Sequence, residues 1–425
     1  MQLLKLWIGN FMLSQFKKNS TFRYHIILLI MLFMTLHSQE VSNQYNLELN
    51  PNLSNQWWSQ YNNYGQEPSE VRLDYKTIYK NEKVNFNLKI FISKNKIYVG
   101  ESFVQSKLFD NTYLKVGKYY KDFSSYLNET LSSGSLLISN NAEPMPKISL
   151  LSSYRFKQSQ NVDFNFGISH GVFAKSTIYK TAPMLHEKFV YLNYSKNKNQ
   201  FSIGFVHEAM WGGSTEKYGD FPNSFEDFFK ILISADGPFL EGEPHANALG
   251  NHLGIWDFYY KKTINNKELK FYYQHFFEDT SGLRFDNKSD GLWGIEISNF
   301  IKNTNILFEY LNTMNQDRDP PYVNEYYYNH SQYEDGWSYK GYALGSSFIN
   351  YLNNNPSKVF HLGVSSNEIN KYNYKFLASR KIDISDHIKY QISISKTINQ
   401  YLVGVIFTGE ESLNNNLTLK LSYSL

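Results

Sequence analysis

The chain has 425 residues, a net charge of +3 and no cysteine. Without cysteine there are no disulfides, no thiolate zinc ligands and no thiol nucleophile. So balanced a charge lacks the basic footprint of a nucleic-acid binder, and the length allows one large domain or two to three ordinary ones. Mean hydropathy is −0.47. That value reads as water-soluble, except for transmembrane β-barrels, whose strands alternate apolar-out and polar-in and average to polar.

The amino terminus sets the compartment. Lys17, Lys18 and Arg23 precede the apolar run Ile26–Leu36, which is followed by His37-Ser38-Gln39. The run is too short for a bilayer core, which takes about 20 residues. A basic flank, a short apolar core and a small residue at the exit predict a signal peptide over 1–39. Residues 1–16 read as an upstream extension, with Met12 as an alternative start. Residues 40–82 are polar, carry Trp57-Trp58, Tyr64-Gly65 and Pro68, and read as a short periplasmic segment before a barrel spanning 83–425.

From residue 83 the pattern has period two. KVNFNLKIFI puts Val84, Phe86, Leu88, Ile90 and Ile92 on one face, and Lys83, Asn85, Asn87 and Lys89 on the other. VDFNFGIS and the terminal NLTLKLSYSL repeat it. A one-residue slip would turn every polar group outward, so the register is well specified. Polar pieces such as SKNKN (194–198), TINNKE (263–268) and YLNNNPSK (351–358) separate the strands and read as hairpin connections. At roughly 20 residues per strand and connection, the remainder of the chain predicts an all-β transmembrane antiparallel barrel of about 16–18 strands. The abundance of Tyr (34) and Phe (32) fits aromatic girdles at the two membrane interfaces. One segment departs from alternation: Phe225, Phe228, Phe229 and Leu232 in FEDFFKILIS follow helical spacing, so a short loop helix is predicted near 225–234.

The stretch YYQHFFEDTSGLRFDNKSDGLWGIEI (272–297) concentrates His275, Glu278, Asp279, Asp286, Asp290 and Glu296. Alternation disperses the cluster. Gln274, Glu296 and Glu309 fall on the lumen side of three successive strands, His275 falls on the opposite face, and Asp279–Gly291 is a loop. Inward carboxylates in a barrel are solvated or paired lumen groups. Other histidines are His207, His245 and His252; His245 and His252, seven apart across Gly250, fit no zinc spacing, and no calcium loop, phosphate loop or nucleophile elbow occurs. Neither cofactor nor metal is expected. The loop at 318–341 is dense in Tyr and Trp, and 210–220 adds more. Flat rings for sugar faces and cations for acidic groups make Trp211, Lys217, Tyr218, Arg284, Lys288, Arg318, Tyr322, Tyr328 and Trp337 the candidate polysaccharide contacts.

Six phrases in chain order carry a resemblance: GSLLISNNAEPMPKISL (134–150), APMLHEKFVYL (182–192), GFVHEAMWGGS (204–214), ALGNHLGIWDF (248–258), YYQHFFEDTSGLRFDNKSDGLWGIE (272–296) and YYNHSQYEDGWSYKG (327–341). Together they resemble the capsule assembly Wzi family of outer-membrane proteins in its Bacteroidetes form. The resemblance implies 18 strands, a closed barrel, and lectin-like, non-catalytic retention of exported polysaccharide at the cell surface. Implied partners are surface polysaccharide, outer-membrane lipid and the polysaccharide export machinery, for a monomer in the outer membrane. Better-known members carry a periplasmic helical bundle, for which the residues before the first clear strand leave little room. The last residue is Leu425 where outer-membrane barrels commonly end in an aromatic, with Tyr423 two before it. A channel for ions or small sugars is the alternative function, and an outer-membrane hydrolase a third.

Overall fold

The computed structural model describes residues 41–51, 53, 57–94, 96–156, 159–237, 248–316, 326–352, 356–369, 371–382, 387–411 and 413–424. The signal-peptide region, His245, Arg318 and Tyr322 lie outside them. In chain order the barrel strands are β1 (Val41–Leu49), β2 (Val71–Lys80), β3 (Val84–Ser93), β4 (Ile97–Val99 continued by Ser102–Phe109), β5 (Thr112–Tyr119), β6 (Met145–Arg155), β7 (Val162–Val172), β8 (Met184–Lys196) and β9 (Asn199–Trp211). They continue as β10 (Asn251–Ile264), β11 (Lys267–Phe277), β12 (Gly291–Ile297), β13 (Thr304–Asn312), β14 (Lys358–Ile369), β15 (Tyr372–Lys381), β16 (Ile388–Ile398), β17 (Tyr401–Glu410) and β18 (Leu413–Ser424). Among the described residues three α-helices lie in loops: α1 (Trp57–Gln60), α2 (Phe225–Ile233) and α3 (Thr280–Leu283). Among the described residues no helix is long and apolar enough to cross a membrane.

Nineteen hydrogen-bonded segments form one sheet. The two pieces of β4 lie in line against β3, so they count as one of eighteen barrel strands. Each strand pairs antiparallel with its chain neighbour, and β1 pairs with β18 through Gln44↔Ser424 to Leu49↔Leu419, which closes the barrel. Closure leaves no strand edge unpaired, as a membrane requires.

The barrel begins at residue 41, and this corrects the expectation of a periplasmic segment over 40–82. Tyr45, Leu47 and Leu49 face outward opposite Tyr75, Leu73 and Val71 of β2 and opposite Tyr423, Leu421 and Leu419 of β18. Asn46, Glu48 and Asp74 point inward and are buried. Their alternate positions hold so many charged groups that the two strands read as polar in sequence.

Outward positions form a continuous exposed apolar belt that includes Val116, Ile148, Phe166, Leu192, Ile203, Ile295, Phe308, Leu362, Ile394, Val405 and Leu417. A patch of this extent on a water-facing surface would be unstable, and hydrocarbon is its natural solvent. Near one end the rings of Tyr45, Tyr75, Tyr401 and Tyr423 stand 5.1–6.3 Å apart in sequence around the closing seam, where an aromatic girdle is expected. That end carries Val41, Ser424 and the short turns. Asn197 and Lys198 both take positive φ (47° and 65°), the backbone of a two-residue type I′ hairpin. The opposite end carries the long loops 50–70, 120–144, 212–250 and 313–357.

Candidate functional site: the plugged loop end

The 25-odd residues joining β5 to β6 turn into the lumen and fill it, so that Leu131, Leu136, Leu137 and Ile138 are almost wholly buried. The wall holds this plug through backbone and hydroxyl groups. Leu127 and Asn128 donate their N–H groups to Glu296 Oε2 at 2.8 and 3.0 Å. Ser132 Oγ and Ser133 N donate to the two oxygens of Glu309, each at 2.7 Å. Ser124 Oγ and Tyr191 OH both donate to Asp257 Oδ2 at 2.7 Å, and Leu136 N donates to Gln274 Oε1 at 3.2 Å. In the other direction, Lys270 donates to the Ser125 carbonyl and His361 Nε2 to the Leu131 carbonyl. Gly363 faces this contact from β14, where an added Cβ would stand 2.5 Å from Leu131 O.

The lumen carboxylates are therefore acceptors for a non-regular backbone segment whose N–H groups have no sheet partner. A buried N–H left unpaired costs roughly 1–3 kcal/mol, so these acids bind the plug in one position. The sequence placed Gln274, Glu296 and Glu309 on the lumen side correctly. What it missed was their partner: the phrase GSLLISNNAEP lacks period-two alternation, yet is too apolar for an exposed loop, and that combination was the available signal.

Two further loops lock onto the plug. Trp337 Nε1 donates to Leu137 O at 3.2 Å, and Tyr328 OH donates to Leu136 O while accepting from Ser346 N at 2.9 Å. Asn141 Nδ2 donates to Ala343 O at 2.8 Å, and Lys340 pairs with Glu143 at 2.7 Å. From the first loop, Tyr64 and Gly65 donate backbone N–H groups to Asn140 O and Asn141 O at 2.8 and 2.9 Å. Trp57 of α1 stacks on Phe348, 4.7 Å between centroids. Beside the plug, against β1–β3 and β15–β18, a polar cavity of about 1230 Å³ remains, lined by Glu48, Lys76, Lys89, Lys375 and Lys420 among others.

The candidate contact residues thus divide. Tyr328 and Trp337 are 0% and 1% exposed and serve as plug clamps, which corrects their reading as ligand rings; desolvation pushes the Tyr328 hydroxyl well above its ordinary range. Trp211 is also removed from solvent, packed against Ala209, Ile231 and Leu249 on the outer wall. Sequence could not reveal which side of an irregular loop a ring would take. Lys217, Tyr218, Arg284 and Lys288 are exposed at the loop end. Lys217 is already engaged: it pairs with Glu334 at 2.6 Å, a bond that raises its ammonium pKa, and lies over the Tyr218 ring. Tyr218 OH donates to Ser331 O at 3.1 Å. Arg284 stands 3.5 Å from Asp286. A second cavity of about 330 Å³, missed in sequence, opens between the loops and is lined by Phe173, Lys175, Tyr179, Asp335, Tyr339 and Tyr351. Among the described residues no group of three or more His, Asp and Glu could hold a metal ion.

The 272–297 stretch resolves as alternation indicated. His275 faces outward, paired opposite Trp256, but the following loop covers it. Phe285 stacks on its ring at 4.1 Å, and its nitrogens lie 3.0 and 3.2 Å from the carbonyls of Asp290 and Gly282. Asp290 is a buried clasp that accepts from Asn315 N, Asn315 Nδ2 and Tyr327 OH at 2.8–2.9 Å.

His330 in the clamping loop yields a pH prediction. Its Nδ1 accepts the N–H groups of Gln332 and Tyr333 at 3.2 Å each, which requires the neutral ring. Desolvation holds its pKa down to about 4, from an ordinary 6.5. Between those values the unfolded loop takes up a proton and the folded loop does not, so stability falls as pH drops through this window. Proteolysis within 326–351 should accelerate from about pH 7 to about pH 5. In His330→Asn, whose side-chain oxygen can accept the same N–H groups, that acceleration should diminish; an unchanged acid response would remove His330 as its source.

A closed barrel with an apolar outer belt and a lumen filled by its own loops defines an outer-membrane β-barrel of the plugged kind. The family profile described as "Capsule assembly protein Wzi" matches residues 38–361, well over half of the chain. The chain belongs to that family. Among solved structures, Escherichia coli Wzi, described as an outer-membrane protein involved in group 1 capsule assembly and a carbohydrate-binding β-barrel, superposes with TM-score 0.63 at 15% identity, covering 94% of this chain and 87% of that one. At that identity the likeness shows the fold alone. OccK5 (OpdH) of Pseudomonas aeruginosa (TM-score 0.43, 9% identity, 91% and 96% coverage) and a mutant Rh. blastica porin (0.39, 8%, 91% and 98%) are too distant to carry an argument. No curated protein matches the chain in sequence.

Proposed function

We propose that this protein, exported by its amino-terminal signal segment, sits in the outer membrane with its turn end in the periplasm and binds surface polysaccharide at its loop end without catalysis. Short periplasmic turns and long extracellular loops are the rule for such barrels. In this role it assists assembly or retention of exported capsular polysaccharide, as a monomer beside the export machinery. The observation that carries the reading is the loop end itself: loops interlock over a plugged lumen and hold exposed Tyr218 and a cleft with three tyrosines, Lys175 and Asp335, and the connection from β11 to β12 adds exposed Arg284 and Lys288. Rigid rings and a few charges suit pyranose faces, hydroxyls and acidic sugars.

The channel alternative has the cavity beside the plug in its favour; the conductance experiment in the Discussion separates the two. For binding, the test is retention. Cells lacking the gene should shed polysaccharide that wild-type cells keep, and equal retention would defeat the proposal. Tyr218→Ala with Arg284→Ala and Lys288→Ala should reproduce the shedding at a stability cost of about 1–2 kcal/mol, since Tyr218 also gives up its bond to Ser331 O.

A further inference from the structure

Helix α2 lies on the outside of the barrel, over a strip of wall that is unlike the rest. Outward positions of β7–β10 under it are polar: His170 and His186 face each other across β7 and β8, Lys188 follows on β8, and His207 and His252 belong to β9 and β10. Along the rest of the exposed belt, outward positions are mostly Val, Leu, Ile, Phe and Tyr. An outward lysine in hydrocarbon costs roughly 2–4 kcal/mol at the bilayer midplane, and unpartnered imidazoles are also costly there.

The helix satisfies part of this strip and hides the rest. Lys188 donates to the Leu232 carbonyl in the last turn of α2, where the helix dipole favours a cation. His252 Nε2 lies 2.7 Å from Leu249 O and so donates to it, which leaves its Nδ1 to accept from His207 Nε2 at 2.9 Å. Ser234, the C-cap of α2, stands 3.2 Å from the same His207 nitrogen. Phe228 packs on the rings of His170 and His186 at 5.1 and 5.8 Å, and Ile231 is wholly buried beside Ala209 and Trp211.

The other side of α2 is apolar and uncovered. Phe225, Phe229 and Ile233, four residues apart and hence on one face, are 77%, 49% and 72% exposed. The barrel belt continues on both sides of the helix. Val190 is exposed on β8 toward the turn end from His186, and Val172, nearer the loop end than His170, is 49% exposed. The uncovered face is therefore continuous with the lipid-facing wall.

We propose that α2 is a lipid-facing patch: Phe225, Phe229 and Ile233 lie among acyl chains of the outer leaflet, and the helix seals the His/Lys strip of β7–β10 from them. The helix replaces a polar section of barrel surface with an apolar one and ties the 212–250 loop to the bilayer.

The cysteine-free sequence permits a direct test. Phe225→Cys, Phe229→Cys and Ile233→Cys are each labelled with a nitroxide in the full-length protein in phosphatidylcholine vesicles, with Ile203→Cys as the belt reference and Lys217→Cys as the aqueous reference. Collision rates with oxygen and with a water-soluble nickel complex are measured. The proposal expects all three helix labels to match Ile203, colliding often with oxygen and rarely with nickel. Nickel access equal to that at Lys217 would overturn it and place the helix in water. Exclusion of both reagents would also overturn it, in favour of a second copy of the chain on this face. A nickel-accessible Ile203 label would instead strike at the membrane-barrel reading itself.

Discussion

Replacing residues 121–143 with a short glycine–serine turn will convert the protein into a conducting pore. The intact chain should show no steady single-channel steps in a planar bilayer, because the plug and the loop 326–351 occupy the lumen and bind each other. The barrel does not need the plug for its ladders: every strand pairs with two neighbours, and β1 with β18. Deletion uncovers a wall of mixed charge, with Glu187, Glu208, Asp257, Glu296 and Glu309 among the acids and Lys115, Lys147 and Lys270 among the bases, so the open pore should be lined by water-accessible charged groups. The clamping loop loses its acceptors at Leu136 and Leu137 and should also become protease-sensitive. A folded but silent deletion variant would show that other loops suffice to seal the barrel. Steady conductance from the intact protein would establish the channel reading instead.

A single substitution should loosen the same lock. Glu309→Ala removes the acceptor for Ser132 Oγ, Ser133 N and Tyr272 OH at once. At roughly 1–3 kcal/mol for each buried donor left unmet, and with some relief from water entering the space, a loss of about 3 kcal/mol is expected. It falls on plug docking rather than on the strands. Cleavage within 121–143 should accelerate and transient current bursts should appear, while the heat-modifiable mobility of the barrel persists. Glu309→Gln keeps one acceptor oxygen but turns its amide N–H₂ toward a donor, so it should fall between the two. A Glu309→Ala plug as protected as wild type would mean that Asp257, Glu296 and Gln274 hold it without help.

The wall of this barrel was readable wherever the inner face carried few charges. Val84–Ile90 and Leu417–Tyr423 alternate cleanly because their inward residues are Asn, Lys, Ser and Thr, one charge per segment, which leave the apolar beat audible. In β1 and β2 the inward places hold Glu48, Arg72, Asp74 and Lys76, and the ion pairing of Arg72 with Glu48 and Asp74 that makes them tolerable is invisible without the register. Helix α2 announced itself through spacing, and the structure adds a Ser224–Asp227 capping box at its start, but spacing did not say which surface it would cover. The loop rings were misjudged for a related reason. Tyr328 and Trp337 look like sugar platforms in sequence, and only the fold supplies the carbonyls their O–H and N–H groups reach. His207 and His252, 45 residues apart in sequence, meet because β9 and β10 lie side by side.

The plug has a consequence for how the wall is aligned. A strand displaced by two residues keeps its apolar face toward lipid, so the bilayer cannot detect the error. Such a shift moves Glu296 or Glu309 by about 6.6 Å along the strand, beyond reach of the N–H groups at Leu127, Asn128 and Ser133. The segment between β5 and β6 thus works as an internal gauge. It spans β10 to β14, and it seats fully only when those strands stand in the one alignment that brings Asp257, Gln274, Glu296, Glu309 and His361 to its marks.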